Sequence, residues 1–263
     1  AVAADVFYGE PTRSLVCAGV TGTNGKTTTA MLMRSTLEAS GRSCGLVGTV
    51  GYRIGDEMRA ATHTTPEAPD VQRMLREMVE RGCGACAMEV SSHALVLRRV
   101  DGVQFVAGVF TNVTRDHLDF HADMEDYFQA KRRLFTMMPA QAPSIINVDD
   151  PRGATLAASV GRPVTFAISR AADVTPGPLV YSLEGLTFDA RTPRGMLHMQ
   201  SKLVGRPNVY NILAAVTTAV ALDLPSDAIE RGIASLDGVP GRFQIVSTPQ
   251  DGITVVVDYA HTD

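Results

Sequence analysis

A glycine-rich segment near the N-terminus places the strongest constraint on the fold of this chain. Residues 15–18 form a short apolar run that predicts a buried strand, and residues 27–39 favour a helix. The segment around their junction reads Gly19-Val-Thr-Gly22-Thr-Asn-Gly25-Lys26-Thr27-Thr28-Thr29. Glycines let the backbone curl so that several N–H groups point to one centre, and the following helix presents its positive end to an anion. The pattern therefore predicts a phosphate-binding loop between a strand and a helix.

Two side chains of this loop have the chemistry that a bound polyphosphate requires. Lys26 can reach the terminal phosphates, and Thr27 can offer its hydroxyl to Mg²⁺. The match to the general phosphate-loop pattern is imperfect, because that pattern has glycine at the position of Val20 and the first glycine here is Gly19. A glycine-rich turn without a ligand is the alternative interpretation.

Strands and helices alternate through the first two-thirds of the chain. Apolar runs predict strands at 44–54, 85–90, 103–110, 144–148 and 164–168, and helical spacing predicts helices at 66–81, 124–137 and 151–160. This alternation predicts an α/β fold with a mostly parallel sheet flanked by helices. The remainder predicts a small antiparallel sheet from 179–190 and 196–204, helices from 209 and 225, and closing strands at 244–247 and 253–257.

The composition is that of a globular protein and argues against several functional classes. The 263 residues are 45% hydrophobic and 20% charged, and the formal net charge of −4 disfavours a general affinity for nucleic acid or an anionic membrane. No apolar run reaches the roughly 18 residues of a membrane span, and no signal peptide is visible. Four cysteines in a chain of this length indicate reduced thiols, so we expect a cytoplasmic protein.

One pair of cysteines, Cys83 and Cys86, has a spacing that metal sites and redox sites also use. A zinc ribbon needs a second close pair, which Cys17 and Cys44 do not form. A redox pair normally opens a helix, whereas this pair leads into a predicted strand, where a spacing of three places the side chains on opposite faces. We therefore interpret these cysteines as buried structural residues.

An acidic side chain ends one of the predicted strands. Phosphate charge must be neutralised during transfer, and Mg²⁺ prefers oxygen ligands for that task. Glu89 ends the strand 85–90, so it is expected at the carboxyl edge of the sheet, where the phosphate loop also lies. A solvated glutamate at a strand end is the alternative.

The segment after the strand 103–110 is dense in groups that bind metals or carry protons, and it reads Arg115-Asp116-His117-Leu118-Asp119-Phe120-His121. His117 and His121 are four residues apart and would share a helix face, so a zinc site is conceivable. The zinc-protease pattern has glutamate directly after the first histidine, where this chain has Leu118. We favour His117 near Mg²⁺ or phosphate, with a polar loop of incidental histidines as the alternative.

Several strings in a fixed order make the sequence resemble the Mur ligases, ATP-dependent amide-forming enzymes of peptidoglycan synthesis. The resemblance covers nearly the whole chain, and it is strongest to the UDP-N-acetylmuramyl-tripeptide synthetases, the MurE type. Besides the phosphate loop, the matching strings are Thr64-Thr65-Pro66, Glu89-Val-Ser91-Ser92-His93, the segment 115–121, Tyr127-Phe-Gln-Ala-Lys131, Asn208-Val-Tyr-Asn211, Gly241-Arg242-Phe243 and Asp258-Tyr-Ala-His261-Thr262.

The resemblance implies a role for each matching residue. The residues that would bind ATP are Gly22, Thr23, Asn24, Gly25, Lys26, Thr27, Thr28, Asn208, Arg242 and Asp258. Those that would surround Mg²⁺ are Thr27, Glu89, His117 and Lys131. The catalytic set would be Lys26, Glu89, His117 and Lys131. Those that would hold the UDP-muramyl-dipeptide are Thr64, Thr65, Ser91 and Arg99.

The implied role of Lys131 depends on a modification by CO₂. As a carbamate it would be an anionic oxygen ligand, whereas a bare ammonium would repel Mg²⁺. Without the resemblance, a solvated lysine on the helix 124–137 would be the favoured interpretation. The chain also departs from the family at Leu97, where relatives often carry a glutamine that touches substrate. Leucine cannot make that hydrogen bond.

The resemblance further implies a reaction and a domain order. A D-glutamyl carboxylate would take the γ-phosphate of ATP to form an acyl phosphate, and the amine of L-lysine or meso-diaminopimelate would then displace phosphate. The family has three domains, so residues 1–14 would be a linker from an N-terminal domain and 15–263 the central ATP-binding domain. The C-terminal, amino-acid-binding domain would be absent, and the isolated chain inactive. The expected partners are the two substrates and the two other domains, with a monomeric chain.

Three alternatives stay open at this point. A ligase similar to folylpolyglutamate synthetase would not be expected to combine Thr64-Thr65-Pro66 with Ser91-Ser92-His93. The related amidating subunit of lipid II carries a four-cysteine zinc ribbon, which the cysteine spacing here disfavours. A non-catalytic nucleotide-binding module with no ligase partner is the third.

Overall fold

The phosphate-loop strand lies inside a large sheet. The structure, a computed structural model, describes residues 1–247 and 253–259. Its helices are α1 (Val2–Phe7), α2 (Lys26–Ala39), α3 (Ala68–Glu80), α4 (Ser92–Val96), α5 (Met124–Met137), α6 (Pro151–Ala157), α7 (Arg206–Ala221) and α8 (Ser226–Ala234), with a 3₁₀ helix at Pro11–Arg13. Across the described residues, none of these helices combines the length and the apolar character that a membrane crossing requires.

The strands form one large sheet, one small sheet and a short ladder. They are β1 (Val16–Thr21), β2 (Cys44–Gly48), β3 (Gly51–Ile54), β4 (Glu57–Arg59), β5 (Ala85–Glu89), β6 (Phe105–Phe110), β7 (Ser144–Asn147), β8 (Pro163–Phe166), β9 (Thr175–Pro176), β10 (Val180–Ser182), β11 (Gly185–Thr192), β12 (Gly195–Ser201), β13 (Gln244–Ile245) and β14 (Val256–Val257). The large sheet has the order β4-β3-β2-β5-β1-β6-β7-β8.

Six neighbouring strands of the large sheet, from β2 through β8, run parallel. This confirms the predicted α/β class with a mostly parallel sheet. The prediction of one strand at 44–54 is wrong, because the chain reverses after Gly48 and returns antiparallel as β3. Gly51 permits the reversal with a φ of +148°, and a β-carbon there would lie 2.9 Å from the carbonyl oxygen of Arg59.

The strands after residue 174 form the small antiparallel sheet and the short ladder, outside the alternating strand–helix pattern. Strands β11 and β12 pair antiparallel around residues 193–194, with β10 and β9 both on β11, which confirms the small antiparallel sheet. The predicted closing strands, 244–247 and 253–257, are shorter than expected: within the described residues they are reduced to β13 and β14, which pair antiparallel.

Each face of the large sheet is covered by its own apolar core. One core joins the sheet to α2, α7, α8 and the small sheet, through residues such as Ala18 and Val20. The other joins it to α3, α5 and α6, through residues such as Cys17 and Met88. Because parallel strands are buried on both faces, β1, β5 and β6 read as continuous apolar runs. Because the strands themselves are buried, side chains that can reach a ligand lie at the carboxyl ends of β1, β5 and β6.

The four cysteines lie in these cores. All four are free and buried, which agrees with a structural role. Cys83 and Cys86 nevertheless pack in the same core, not on opposite faces as the spacing predicted, because Cys83 precedes β5 and does not follow the alternation of the strand.

Residues 1–14 are folded against the sheet layer and are not an irregular connector. The α1 helix and the following 3₁₀ helix contact α3, and Arg76 donates to the carbonyl oxygen of Tyr8 at 2.9 Å. The backbone N–H of Gln104 donates to the hydroxyl of Thr12 at 3.2 Å. Sequence reasoning missed this helix because it is only six residues long. A connection to a further domain stays a prediction.

The helix α5, which carries Lys131, has the bounds that the sequence predicts. It begins after Asp123, whose carboxylate accepts hydrogen bonds from the N–H groups of Glu125 and Asp126, each at 2.8 Å. Such a cap satisfies donors that the first helical turn leaves without partners. The acidic residues of this turn also suit the positive end of the helix dipole.

A glycine in α6 marks a close helix–strand contact and gives a first prediction. A β-carbon on Gly153 would lie 1.9 Å from the carbonyl oxygen of Asn147, which is backbone and cannot move aside cheaply. We expect Gly153→Ala to destabilise the chain by about 1–3 kcal/mol or more through overpacking. Gly84→Ala is the matched control, since nothing lies within 4 Å of its β-carbon position. Urea unfolding measures both, and equal stability of the two variants would contradict the packing argument.

Candidate nucleotide and magnesium site

The phosphate loop depends on two glycines in positive-φ conformations. Gly22 has a φ of +153°, and a β-carbon there would lie 1.8 Å from the hydroxyl oxygen of Thr111. Gly25 has a φ of +86° and caps α2, and its β-carbon would lie 2.3 Å from Oδ1 of Asn211. Gly19, in contrast, lies inside β1 under the ring of Phe105. The imperfect glycine spacing thus reflects strand packing, while Gly22 and Gly25 make the turn.

The residues after β6 hold the loop in its curled form. The N–H of Thr23 donates to the carbonyl of Asn112 at 2.9 Å, and the N–H of Asn24 donates to the side chain of Asn112 at 2.9 Å. The hydroxyl of Thr111 donates to the carbonyl of Asn24 at 2.7 Å. The first turn of α2 follows at once, and its N–H groups have no intrahelical acceptor. This cradle fits a polyphosphate anion.

Lys26 is the first residue of α2, and its side chain folds back over the loop. Its Nζ donates to the carbonyl oxygens of Gly22 at 3.0 Å and Thr23 at 2.7 Å. Burial lowers the pKa of Lys26, and the nearby carboxylate of Glu89 opposes that shift. A bound polyphosphate would oppose it further, because a second negative charge favours the ammonium. The side chain is therefore placed to neutralise phosphate charge.

Glu89 ends β5 and is held by three donors at the carboxyl edge of the sheet. It is 1% exposed. Its Oε2 accepts from the hydroxyls of Thr27 at 3.0 Å and Thr49 at 3.2 Å, and its Oε1 accepts from the N–H of Thr49 at 2.8 Å. Burial raises the pKa of Glu89, while Lys26 and these hydrogen bonds oppose the rise. The lack of a side chain at Gly48 provides space for the carboxylate of Glu89, because a β-carbon at Gly48 would lie 2.3 Å from Oε1.

Lys131 approaches the same loop from α5 and is 1% exposed. Its Nζ donates to the carbonyl of Gly22 at 2.8 Å and lies 4.2 Å from the ring centroid of Tyr127. Burial lowers the pKa of Lys131 well below its usual value, and the charge of Lys26 lowers it further. Sequence alone favoured a solvated lysine here, and the structure contradicts that interpretation. The environment favours the neutral amine, which is the nucleophilic form.

His117 and His121 do not share a helix face, because residues 117–121 form a turn. His117 has a φ of +52°, and its backbone carbonyl accepts from the N–H of His121 at 3.0 Å. His121 is buried, with Nε2 3.0 Å from the hydroxyl of Ser92 and Nδ1 3.1 Å from the carboxylate of Asp126. Within residues 1–247 and 253–259, no group of three His, Cys, Asp or Glu side chains is arranged to hold a metal.

His117 itself lies on the cavity wall near both lysines. Burial lowers its pKa, Asp116 opposes this shift, and the charges of Lys131 and Lys26 add to it. A neutral imidazole is the form that can act as a ligand or accept a proton.

Four residues predicted to hold the acceptor substrate, Thr64, Thr65, Ser91 and Arg99, line the same cavity as Glu89. The hydroxyl of Thr65 donates to the backbone carbonyl of Glu89 at 2.8 Å and accepts from the N–H of Ser91 at 3.1 Å. Arg99 donates to the carbonyl of Thr65 at 3.0 Å. Ser91 caps α4, where its side chain accepts from the N–H of Ala94. Leu97, at the end of the same helix, is 52% exposed.

Two adjoining cavities bring the predicted residues together. A cavity of about 450 Å³ is lined by Thr23, Asn24, Gly25, Lys26, Thr27, Thr28, Thr64, Thr65, Glu89, Ser91, Arg99, His117, Lys131 and Arg242, among others. A second cavity, of about 420 Å³, is lined by Asn208, Arg242 and Asp258 and shares Asn24, Gly25 and Thr28 with the first. Gly22 lines neither, but its carbonyl accepts from both lysines. Residues 260–263, with His261 and Thr262, lie outside the described residues.

Sequence reasoning missed two residues of this site. Thr49 lines the first cavity and bonds Glu89, and Asn112 shapes the phosphate loop. Neither belongs to a string that the sequence singled out. Both follow the carboxyl end of a strand, so the rule that parallel strands gather their ends at one edge could have found them.

The donor set fits a nucleotide with Mg²⁺. A hydroxyl and a carboxylate in direct contact, Thr27 and Glu89, are the hard oxygen ligands that Mg²⁺ prefers. They lie beside the phosphate loop, where a β-carbon at Gly22 or Gly25 would collide with a neighbouring side chain. The predicted ligands His117 and Lys131 line the same cavity.

The sequence matches the family model of the Mur ligase middle domain over residues 20–219. Similar curated proteins include the UDP-N-acetylmuramoyl-L-alanyl-D-glutamate–2,6-diaminopimelate ligase of Geobacter metallireducens, 49% identical over 99% of this chain and 52% of that protein. The ligase of the same name from Gloeobacter violaceus is 48% identical over 98% of this chain and 53% of its own. The chain therefore spans about half the length of the curated relatives it matches.

Solved structures show the same fold. A structure of a UDP-N-acetylmuramoyl-L-alanyl-D-glutamate–2,6-diaminopimelate ligase superposes with a TM-score of 0.81 at 31% identity, covering 94% of this chain and 51% of that one. The folylpolyglutamate synthetase of Lactobacillus casei superposes with a TM-score of 0.69 at 18% identity, covering 99% of this chain and 71% of that one. At that identity the second likeness concerns the fold alone.

Proposed function

Because this chain belongs to the Mur ligase family, we propose that it is the central ATP-binding part of a longer ligase of peptidoglycan synthesis. That ligase joins a diamino acid to UDP-N-acetylmuramoyl-L-alanyl-D-glutamate through an acyl phosphate. The observation that carries the proposal is one cavity in which the loop lysine Lys26, the buried carboxylate of Glu89 and the buried amine of Lys131 meet. The relatives' names favour 2,6-diaminopimelate over lysine as the amino acid.

The contribution of this part is the phosphoryl-transfer half of the reaction. The N–H groups of the loop and of α2 orient the phosphates, and Lys26 neutralises charge that develops on the transferred phosphoryl group. Thr27 and Glu89 would hold Mg²⁺, which supplies further charge neutralisation when bound. Thr64, Ser91 and Arg99 would orient the acceptor carboxylate from the other wall of the cavity. The nucleoside would extend into the second cavity, past Asn208, Arg242 and Asp258.

Calorimetry tests the nucleotide proposal on this chain directly. Titration with a non-hydrolysable ATP analogue should release heat only when Mg²⁺ is present. The chain alone should not form the amide bond, since the incoming amino acid would bind to another domain. A titration without heat in the presence of Mg²⁺ would overturn the proposed function.

Lys131 is proposed to carry a carbamate formed with CO₂, which gives a second prediction. Burial lowers the pKa of Lys131 and so favours the neutral amine, which is the form that attacks CO₂. As the N–C bond forms, the nitrogen releases one proton, and the product would be an anionic oxygen ligand in the cavity that Glu89 also lines. Protein equilibrated with ¹³C-enriched bicarbonate should show one additional carbamate carbon resonance that Lys131→Met removes. Lys202→Met is the control, because Lys202 is largely exposed and paired with Asp237. An unchanged spectrum in Lys131→Met would contradict the assignment.

A further inference from the structure

A chain of hydrogen bonds connects the phosphate loop to residues 60–67, which we call the acceptor loop because Thr64 and Thr65 are predicted to hold the acceptor. The connection passes through Thr49, a residue without an assigned role. The members of this hydrogen-bond chain are Thr27, Glu89, Thr49 and Thr64, and we call it the Glu89 relay. The hydroxyl of Thr27 lies 3.0 Å from Oε2 of Glu89, and the hydroxyl of Thr49 lies 3.2 Å from the same oxygen. The hydroxyl of Thr49 also lies 3.0 Å from that of Thr64. Thr49 therefore joins the nucleotide side of the cavity to the acceptor side.

The chemistry of the four groups fixes the direction of these bonds. An ionised carboxylate only accepts hydrogen bonds, so the hydroxyls of Thr27 and Thr49 both donate to Glu89. A hydroxyl has one proton, and that of Thr49 is committed to Glu89. Thr64 must then donate to Thr49 and present lone pairs to the cavity. The hydrogen bond from Thr49 to Glu89 thus determines which way the hydroxyl of Thr64 points.

The position of Thr49 indicates that its hydroxyl connects Glu89 with Thr64 and is not needed to hold the fold. Thr49 lies in the turn between β2 and β3, its side chain is exposed, and it lines the cavity. Its backbone N–H holds Oε1 of Glu89 at 2.8 Å, independently of the side chain. Thr65, next to Thr64, is tied to the backbone of Glu89 by its own hydroxyl. Removal of the Thr49 hydroxyl therefore takes away one of the three hydrogen bonds to Glu89 and interrupts the relay. The hydroxyl of Thr27 and the N–H of Thr49 still hold the carboxylate, and Thr65 keeps its own bond to the backbone.

We propose that Thr49 is a positioning residue that couples nucleotide binding to acceptor binding in this site. The inference rests on the proposed function. When nucleotide and Mg²⁺ engage Thr27 and Glu89, the relay fixes the hydroxyl of Thr64 in the orientation that the acceptor requires. Binding at either end then favours binding at the other, and linkage requires the same factor in both directions.

The test measures that coupling factor in the ligase that contains this chain. The affinity for UDP-N-acetylmuramoyl-L-alanyl-D-glutamate is titrated with and without a non-hydrolysable ATP analogue plus Mg²⁺, and the reciprocal titration is made. We expect the wild type to show coupling of about fivefold or more. Thr49→Val, which keeps the shape and loses the hydroxyl, should reduce the factor to within about twofold of unity, and Thr49→Ser should restore it.

Thr62→Val is the matched control, because Thr62 lies two residues before Thr64, is exposed and bonds Tyr52 outside the relay. It should keep the coupling of the wild type. Coupling that persists in Thr49→Val, or that is lost equally in Thr62→Val, would overturn the role of Thr49. A wild type that binds both ligands without coupling would overturn the inference and leave the proposed function standing. A wild type that binds neither ligand would overturn both.

Discussion

The Lys26→Ala variant of the proposed ligase that would contain this chain is expected to lose ATP-dependent turnover. Lys26 begins α2, and its ammonium is the cation held against the phosphate-loop carbonyls. Loss of a preorganised donor of this kind costs about 10²–10³-fold in kcat, because the remaining groups cannot neutralise charge that develops during transfer. Steady-state kinetics at saturating ATP and Mg²⁺ measure the loss.

Stability and charge controls accompany this measurement. The fold should survive in Lys26→Ala, since the carbonyls of Gly22 and Thr23 can accept from water instead. Arg42→Ala removes an exposed cation just beyond α2 and should leave kcat unchanged. A Lys26→Ala enzyme with normal turnover would refute the assigned role of the loop, whereas equal losses in both variants would show a general effect of net charge.

The architecture was largely predictable because its signals are local. The bounds of α5 follow from the acidic cap at Asp123 and the helical periodicity behind it, and the parallel sheet follows from buried apolar runs such as β5. The hairpin of β2 and β3 was not predictable from alternation alone, because both strands continue the same apolar pattern across the turn. The structure shows the reversal in the antiparallel pairing of Gly48 with Gly51 and in the positive φ of Gly51.

The site was predictable where a residue ends a strand or belongs to a string, and less so elsewhere. Glu89 follows from its place at the carboxyl end of β5. The burial of Lys131 could not be derived from its helix, since a lysine at that spacing is more often solvated. It is buried because the phosphate loop, more than a hundred residues earlier, packs over it, and the carbonyl of Gly22 accepts a hydrogen bond from its Nζ. Long-range contacts of this kind leave no periodic trace in the sequence.

The turn at 117–121 also shows that residue spacing alone does not determine local conformation. A spacing of four between His117 and His121 predicts a shared face only if the segment is a helix. The turn places one imidazole on the cavity wall and buries the other against Ser92 and Asp126. The residue types predicted a position near the phosphate loop, and His117 does line the cavity beside that loop. The local conformation that separates the two histidines depends on contacts of His121 with α4 and α5.

The Glu89→Gln variant of the same ligase is expected to lose most of its Mg²⁺-dependent activity. The substitution keeps the size of the side chain and removes the buried anion that would hold Mg²⁺ with Thr27. Charge neutralisation by a metal ion contributes several kcal/mol, which corresponds to roughly 10²–10³-fold in kcat. The amide can still accept from the N–H of Thr49, so the free energy of unfolding should change little.

Glu80→Gln, at an exposed position on α3, is the control and should match the wild type. Activity measured against Mg²⁺ concentration separates the outcomes: a weaker Mg²⁺ response confined to Glu89→Gln supports a metal ligand, and an unchanged response assigns Glu89 to loop structure alone.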